Sequence, residues 1–204
     1  NKAIEWEFFD AVNPCVGVKK FRVTSRERFL QPHEMQKFFD ALDGLAEPST
    51  RDFFLMCLYT GARKNNVLSM RWEDIQFERY EWRIPMTKNG TSQIVPLIEP
   101  AVLLLKGRRS LTTSDWVFPS SLNKTGHLVE PKSSWDTVRK TVGLEDLRMH
   151  DLRRSLGSWQ ARTGASLVII GKTLNHQSPQ STQVYARLDS DPVRQAMETA
   201  VSAM

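Results

Sequence analysis

The sequence predicts a mostly α-helical domain with a small antiparallel β-sheet, an α+β fold. Apolar residues recur at helical spacing through residues 32–60 and again from Pro131 onward. One segment, 81–97, reads instead as two strands about an Asn-Gly turn, a pair suited to the positive backbone angles of tight turns. Gly and Pro punctuate the helical runs where starts and stops are wanted.

At 204 residues the chain can bury a substantial core without staples and matches one full domain with part of another. Residues 3–11 read as the end of a helix. Asn13-Pro14 and the basic run Lys19-Lys20-Phe21-Arg22 then read as a connector, placing a domain boundary within 13–28. The chain begins at Asn1, not Met, as expected of a fragment cut from something longer. Pro32 suits the first turn of a helix carrying Met35, Phe38, Phe39 and Leu42, with Gly44 as its stop. A second helix is expected from Ser49 to Thr60. Gly61 breaks it and brings Arg63 to the start of a new short helix, whose free amides favour an anion.

Glu81-Trp82-Arg83-Ile84-Pro85-Met86 and Ser92-Gln93-Ile94-Val95-Pro96-Leu97 form the expected hairpin, with Lys88 projecting from its tip. The remainder from Pro131 is helical, with Gly164 a stop and Pro179 and Pro192 near helix starts. In the tail, Val193, Ala196, Met197, Ala200 and Val201 make an apolar stripe that suits packing on its own domain or on a neighbour. There is no internal repeat and no low-complexity segment.

Lys and Arg number 28 against 23 Asp and Glu, a net charge of +5 with a pI near 9.4, which favours a polyanionic partner without selecting one. Cys15 and Cys57 stand in no metal-ligand spacing and read as reduced thiols of a cytosolic protein. No stretch approaches the roughly 20 apolar residues that span a bilayer, and the first residues do not resemble a secretory signal, so a cytoplasmic location is expected. No carboxylate cluster or Cys/His set suggests a metal site, and His33 and His127 read as surface residues.

Six residues stand out: Arg63, Lys88, His150, Arg153, His176 and Tyr185. Each has a plainer account by itself. Arg63 could pair with Glu73 or Asp74, Lys88 could serve solubility, and His176 could cap a helix. Tyr185 could be a core aromatic, and His150 with Arg153 could form a solvated face. At about 100° per residue, however, His150 and Arg153 share a helix face while Leu152, Leu156 and Trp159 cluster on another, leaving the polar pair toward a cleft. Together the six make a set of phosphate contacts followed by a nucleophile.

In this order and these settings the six resemble the catalytic domain of the tyrosine recombinase (phage integrase) family. The likeness is carried by Thr60-Gly61-Ala62-Arg63, the hairpin Lys88, His150-Asp151-Leu152-Arg153-Arg154, Leu174-Asn175-His176, and Tyr185 nine positions after that His. It covers roughly residues 30–192. Two positions depart from the pattern. Relatives often carry an acidic residue where Asn66 stands, which bears on how Arg63 is oriented, and Gly where Asn175 stands, a change eased by the tolerance of Asn for left-handed backbone.

The resemblance implies a site-specific recombinase or integrase in which Tyr185 attacks a DNA phosphodiester, giving a 3′-phosphotyrosyl link and a free 5′-hydroxyl. Arg63 and Arg153 would hold the non-bridging oxygens and Lys88 would protonate the leaving 5′-oxygen. His150 would serve as acid and base, and His176 would add a phosphate hydrogen bond. The bond energy is kept in the covalent intermediate, so no nucleotide cofactor is implied. Residues 1–28 would be the end of a preceding DNA-binding domain and linker, and 29–204 the catalytic domain with its helical tail. The implied partner is double-stranded DNA, bound by a homotetramer at synapsed sites assembled from a chain that is monomeric in isolation, with DNA-bending accessory proteins. Basic residues such as Lys19, Lys20, Arg22, Arg71, Lys132 and Arg154 suit contacts to the DNA backbone. Two alternatives stay open: a type IB topoisomerase-like enzyme that reseals the same strand, and a DNA-binding regulator whose catalysis has lapsed.

Overall fold

The computed structural model describes residues 2–19, 21, 26–87, 90–187 and 191–204. Lys88, expected at the hairpin tip, and Lys20 and Arg22 of the connector lie outside the described residues. Helix α1 spans Lys2–Glu5 only, because Glu7 takes a left-handed φ of 61° that ends the turn expected to run to residue 11.

Helix α2 (Pro32–Asp43) starts where Pro32 predicts and closes at Gly44, and the Glu34 carboxylate returns to accept from the Gln31 N–H at 2.8 Å. Helix α3 (Pro48–Thr60) ends at Gly61, whose φ of 59° is left-handed and whose N–H donates to the Cys57 carbonyl. Helix α4 (Lys64–Leu68) follows at once with Arg63 as its N-cap. Strands β1 (Ile75–Gln76), β2 (Glu81–Ile84) and β3 (Gln93–Pro96) form an antiparallel sheet in the order β1-β2-β3, and Trp82 pairs with Ile75 on one side and Val95 on the other. The hairpin matches expectation. Strand β1 does not, because two residues are too few to display alternation.

Helices α5 (Glu99–Arg109), α6 (Lys132–Val142), α7 (Met149–Arg162), α8 (Leu167–Thr173) and α9 (Gln180–Gln183) lead to a 3₁₀ turn, Val184–Arg187, and to α10 (Asp191–Ser202). No helix among the described residues is long and apolar enough to cross a membrane.

Helix α3 is the centre of the main core. Its Phe53, Phe54, Met56, Cys57 and Leu58 are buried, with Phe54 against Trp135 of α6 and Phe53 edge-on to Phe118. Burying each such ring stabilises the fold by about 1.5–3 kcal/mol. Burial also pushes the Cys57 thiol up, which keeps it protonated and inert. The buried Asp52 carboxylate accepts from Arg108 at 3.0 Å, and Arg108 also donates to Ser49 Oγ and the Val117 carbonyl, so the charges are compensated inside the core. A second, smaller cluster of Ile170, Leu174 and Tyr185 packs against α7. Helix α7 therefore lies between two cores and fixes their relation.

Candidate active site

Arg153 projects from α7 into the seam between these cores. Its Nη1 donates to the Gly61 carbonyl at 2.5 Å and its Nη2 to the Leu174 carbonyl. Gly61 is two residues before Arg63, and Leu174 two residues before His176. One guanidinium therefore ties together three segments distant in sequence, each carrying a proposed reactive side chain. Arg153 is 5 % exposed, and among the described residues its hydrogen-bond partners are two carbonyls and no carboxylate. Burial and the neighbouring Arg63 charge depress its pKa to about 10. A buried cation without a counter-charge is costly, and such a group suits an anionic ligand. The two carbonyls leave other guanidinium N–H groups for that ligand.

Arg63 lines the adjoining cleft, whose volume is about 740 Å³ and whose basic lining also includes Lys64, Lys132, Arg139, Arg148 and His150. Among the described residues Arg63 Nη1 is buried without a hydrogen-bond partner. The pairing with Glu73 is not made, since Arg71 takes that carboxylate at 2.6 Å. Asn66, one turn along, likewise has a buried and unpartnered Nδ2, so no carboxylate at this position holds Arg63.

His150 is exposed on the cleft wall, and Arg153 is not, so the pair expected to face outward together is split between surface and seam. Desolvation first, then the charges of Arg153, Arg154 and Arg63, lower the His150 pKa, against an opposing push from Asp151. His176 follows Asn175, whose φ of 47° is left-handed as its sequence position suggests, and its Nδ1 meets Thr182 Oγ1 at 2.9 Å. Burial, then Arg153, Arg63 and His150, push His176 down to about 4. The mutual influence of these groups places one field of positive charge around a small volume.

Tyr185 completes the group. It is 4 % exposed, its ring lies nearly parallel to that of His176 at 6.2 Å, and burial raises its pKa against the charges of Arg153 and Arg154. The structure thus brings five of the six expected residues together, and Lys88 lies outside the described residues. Of the expected surface cations, Lys132 lines the cleft, whereas Arg71 stacks on Trp116 and Arg154 turns inward to the Arg26 carbonyl. His33 is exposed as expected, but His127 is half-buried, against the Leu128 carbonyl and the Trp116 ring. Thr182 and Gly157, which seat His176 and Tyr185, went unnoticed in the sequence; the signal at Gly157 was a glycine inside a helical run.

The chain is 29 % identical over 171 residues to prophage integrase IntF of Escherichia coli K12, a match covering 81 % of this chain and 36 % of that one. It is 27 % identical over 197 residues to the integrase of Salmonella phage P22, covering 90 % and 49 %. The chain thus spans half or less of the length of these relatives. The fold is that of the XerH site-specific recombinase in its post-cleavage complex with a palindromic difH substrate, with a TM-score of 0.67 at 21 % identity over 83 % of this chain and 52 % of that one. Residues 28–191 match the profile of the Phage integrase family across most of the chain. The chain belongs to that family.

Proposed function

We propose that this chain is the catalytic part of a site-specific DNA recombinase that cuts and rejoins strands through Tyr185. The observation that carries the reading is the buried, carboxylate-free guanidinium of Arg153, placed beside the unpartnered Nη1 of Arg63. Two preorganised arginines with no counter-ion among the described residues suit a phosphodiester that gains negative charge as it becomes pentacoordinate.

Tyr185 Oη attacks the phosphorus while its proton passes to His150, and the bond from phosphorus to the 5′-oxygen breaks. Lys88 gives the leaving oxygen its proton. Arg63 and Arg153 hold the non-bridging oxygens, and His176, steadied by Thr182, donates a further hydrogen bond. In the second step a 5′-hydroxyl attacks the phosphotyrosine, the bond to Tyr185 breaks, and the proton transfers reverse. Because the side chains supply both charge and proton transfer, cleavage is expected to persist in EDTA. The partner is double-stranded DNA, in keeping with the DNA-bound state of the XerH relative. Exchange between two duplexes calls for a homotetramer at the synapse. Residues 1–28 are read as the end of a preceding DNA-binding domain and its linker, and 29–204 as the catalytic domain with its C-terminal helical tail.

The test is a denaturing gel for covalent protein–DNA adduct on nicked duplexes in EDTA, with wild type and Tyr185→Phe. Wild type is expected to form the adduct. The variant is expected to form none while keeping its DNA affinity and staying within about 1 kcal/mol in stability, because the ring is retained. An adduct of equal yield from the variant sinks the assignment of Tyr185.

A further inference from the structure

The segment entering the domain is fastened to α7 at several points. The Asp151 carboxylate, 1 % exposed and next to His150, accepts from the Arg148 N–H at 2.9 Å and from Arg26 Nη2 at 3.2 Å. Arg154 Nη1 lies 3.6 Å from its other oxygen and donates to the Arg26 carbonyl at 2.6 Å. Arg26 Nη2 also donates to the Asp146 carbonyl, in the loop leading into α7. Farther along the helix, the Leu30 N–H donates to Ser155 Oγ at 2.8 Å, and Trp159 Nε1 donates to the Leu30 carbonyl at 3.1 Å.

Asp151 stands one residue after His150 and two before Arg153. A buried carboxylate needs its charge compensated, and among the described residues Arg26 and Arg154 are the cations that reach it. Arg154 belongs to the same helix and moves with it. Arg26 belongs to the connector, so it alone of the two can fix Asp151 relative to something outside α7. Resting on the function proposed above, we infer that Arg26 and Asp151 form a clasp that makes both positioning residues for His150 and Arg153, so that the connector sets the geometry of the site. Neither residue touches the phosphate. The clasp holds the first turn of α7 at the angle that lets His150 reach the cleft while Arg153 stays in the seam.

The experiment needs a DNA substrate, found by trapping adducts on a pool of nicked duplexes of randomised sequence and resynthesising the recovered sequence. Adduct formation is then followed in single turnover at saturating duplex, with duplex affinity and melting temperature measured alongside. Arg26→Met and Asp151→Asn are each expected to slow the saturated rate by about 10- to 100-fold, since a displacement near 1 Å is enough, with affinity held within about threefold. Asn at 151 keeps an acceptor for the Arg148 N–H, so this variant retains its helix start if Arg26→Met proves unstable. The double variant should be no slower than the slower single one, as for residues acting as a unit. Arg26→Lys should recover part of the rate.

Arg28→Met is the control. Arg28 lies in the same segment but pairs with Glu34 of α2 and with Asp146, and this variant should keep the wild-type rate despite a similar fall in melting temperature. A rate loss no greater in Arg26→Met than in Arg28→Met, or a loss confined to affinity, would overturn the clasp. Failure of the wild type itself to form adduct would instead overturn the functional reading, and the inference with it.

Discussion

The ring of Tyr185 lies against the bare backbone of Gly157, one helical turn beyond Arg153 on α7. A methyl group at 157 would stand 2.7 Å from Cε1 and 2.8 Å from Cζ of that ring, and 2.9 Å from Leu174 Cδ1. Glycine inside a helix normally costs about 1 kcal/mol relative to alanine. Here it creates the notch that seats the proposed nucleophile in the smaller core.

Gly157→Ala should therefore reverse the usual gain from alanine. The overlap costs about 1–3 kcal/mol against a helix gain of about 1 kcal/mol, so the gain is cancelled or turned into a net loss of up to about 2 kcal/mol. The displaced ring should become more reactive to tetranitromethane, with the nitrated site mapped by mass spectrometry. Unchanged labelling of Tyr185 would show that the notch does not hold it.

Arg153→Lys keeps the charge but cannot donate to the Gly61 and Leu174 carbonyls in the same fork geometry. Leaving a buried carbonyl unsatisfied should lower stability by about 1–3 kcal/mol in denaturant titration. Adduct formation should fall by about 100-fold or more, because the planar pairing proposed to the phosphate would go as well. Full activity in this variant would argue that Arg153 serves only as a strut.

The depressed histidines make stability depend on pH. His176, at about 4, and His150, lowered from its usual value, favour the neutral form in the folded state. An unfolded His takes up a proton near pH 6.5, so the stabilisation is fully present above that value. It is lost progressively as pH falls from about 6.5 toward 4, where His176 protonates within the fold. Melting temperatures across this interval should decline, and His176→Asn should flatten part of the decline. An equally steep profile in that variant would assign the effect elsewhere.

Asn175 bridges α8 and His176 with a left-handed φ of 47°. Asn175→Gly should be neutral to within about 0.5 kcal/mol, whereas Asn175→Ala should cost about 1 kcal/mol because a Cβ without a local hydrogen-bonding group is disfavoured there. Equal stability of the two variants by thermal melts would remove backbone strain as the reason for the residue.

Much of this architecture is legible locally. Pro32 and Gly44 bracket α2, Gly61 stops α3 and turns the chain into α4, and Asn175 adopts the backbone its side chain tolerates. The two-residue strand β1 was hidden, because it exists only as a partner of β2. The roles of Arg26 and Thr182 were hidden for a similar reason. An arginine in a basic connector and a threonine in a one-turn polar helix carry no periodic signal, and their partners are fixed only when distant segments meet.

The sequence by itself determined which reactive groups the chain carries, their order, and the helices and turns that present Arg63, His150 and His176, because helical periodicity and cap chemistry act over a few residues. Tertiary structure decided that Arg153 is buried, through carbonyls 92 and 21 positions away, and that Tyr185 is seated beside His176 in the smaller core. Those outcomes depend on desolvation and packing between segments far apart in the chain, which no local pattern encodes.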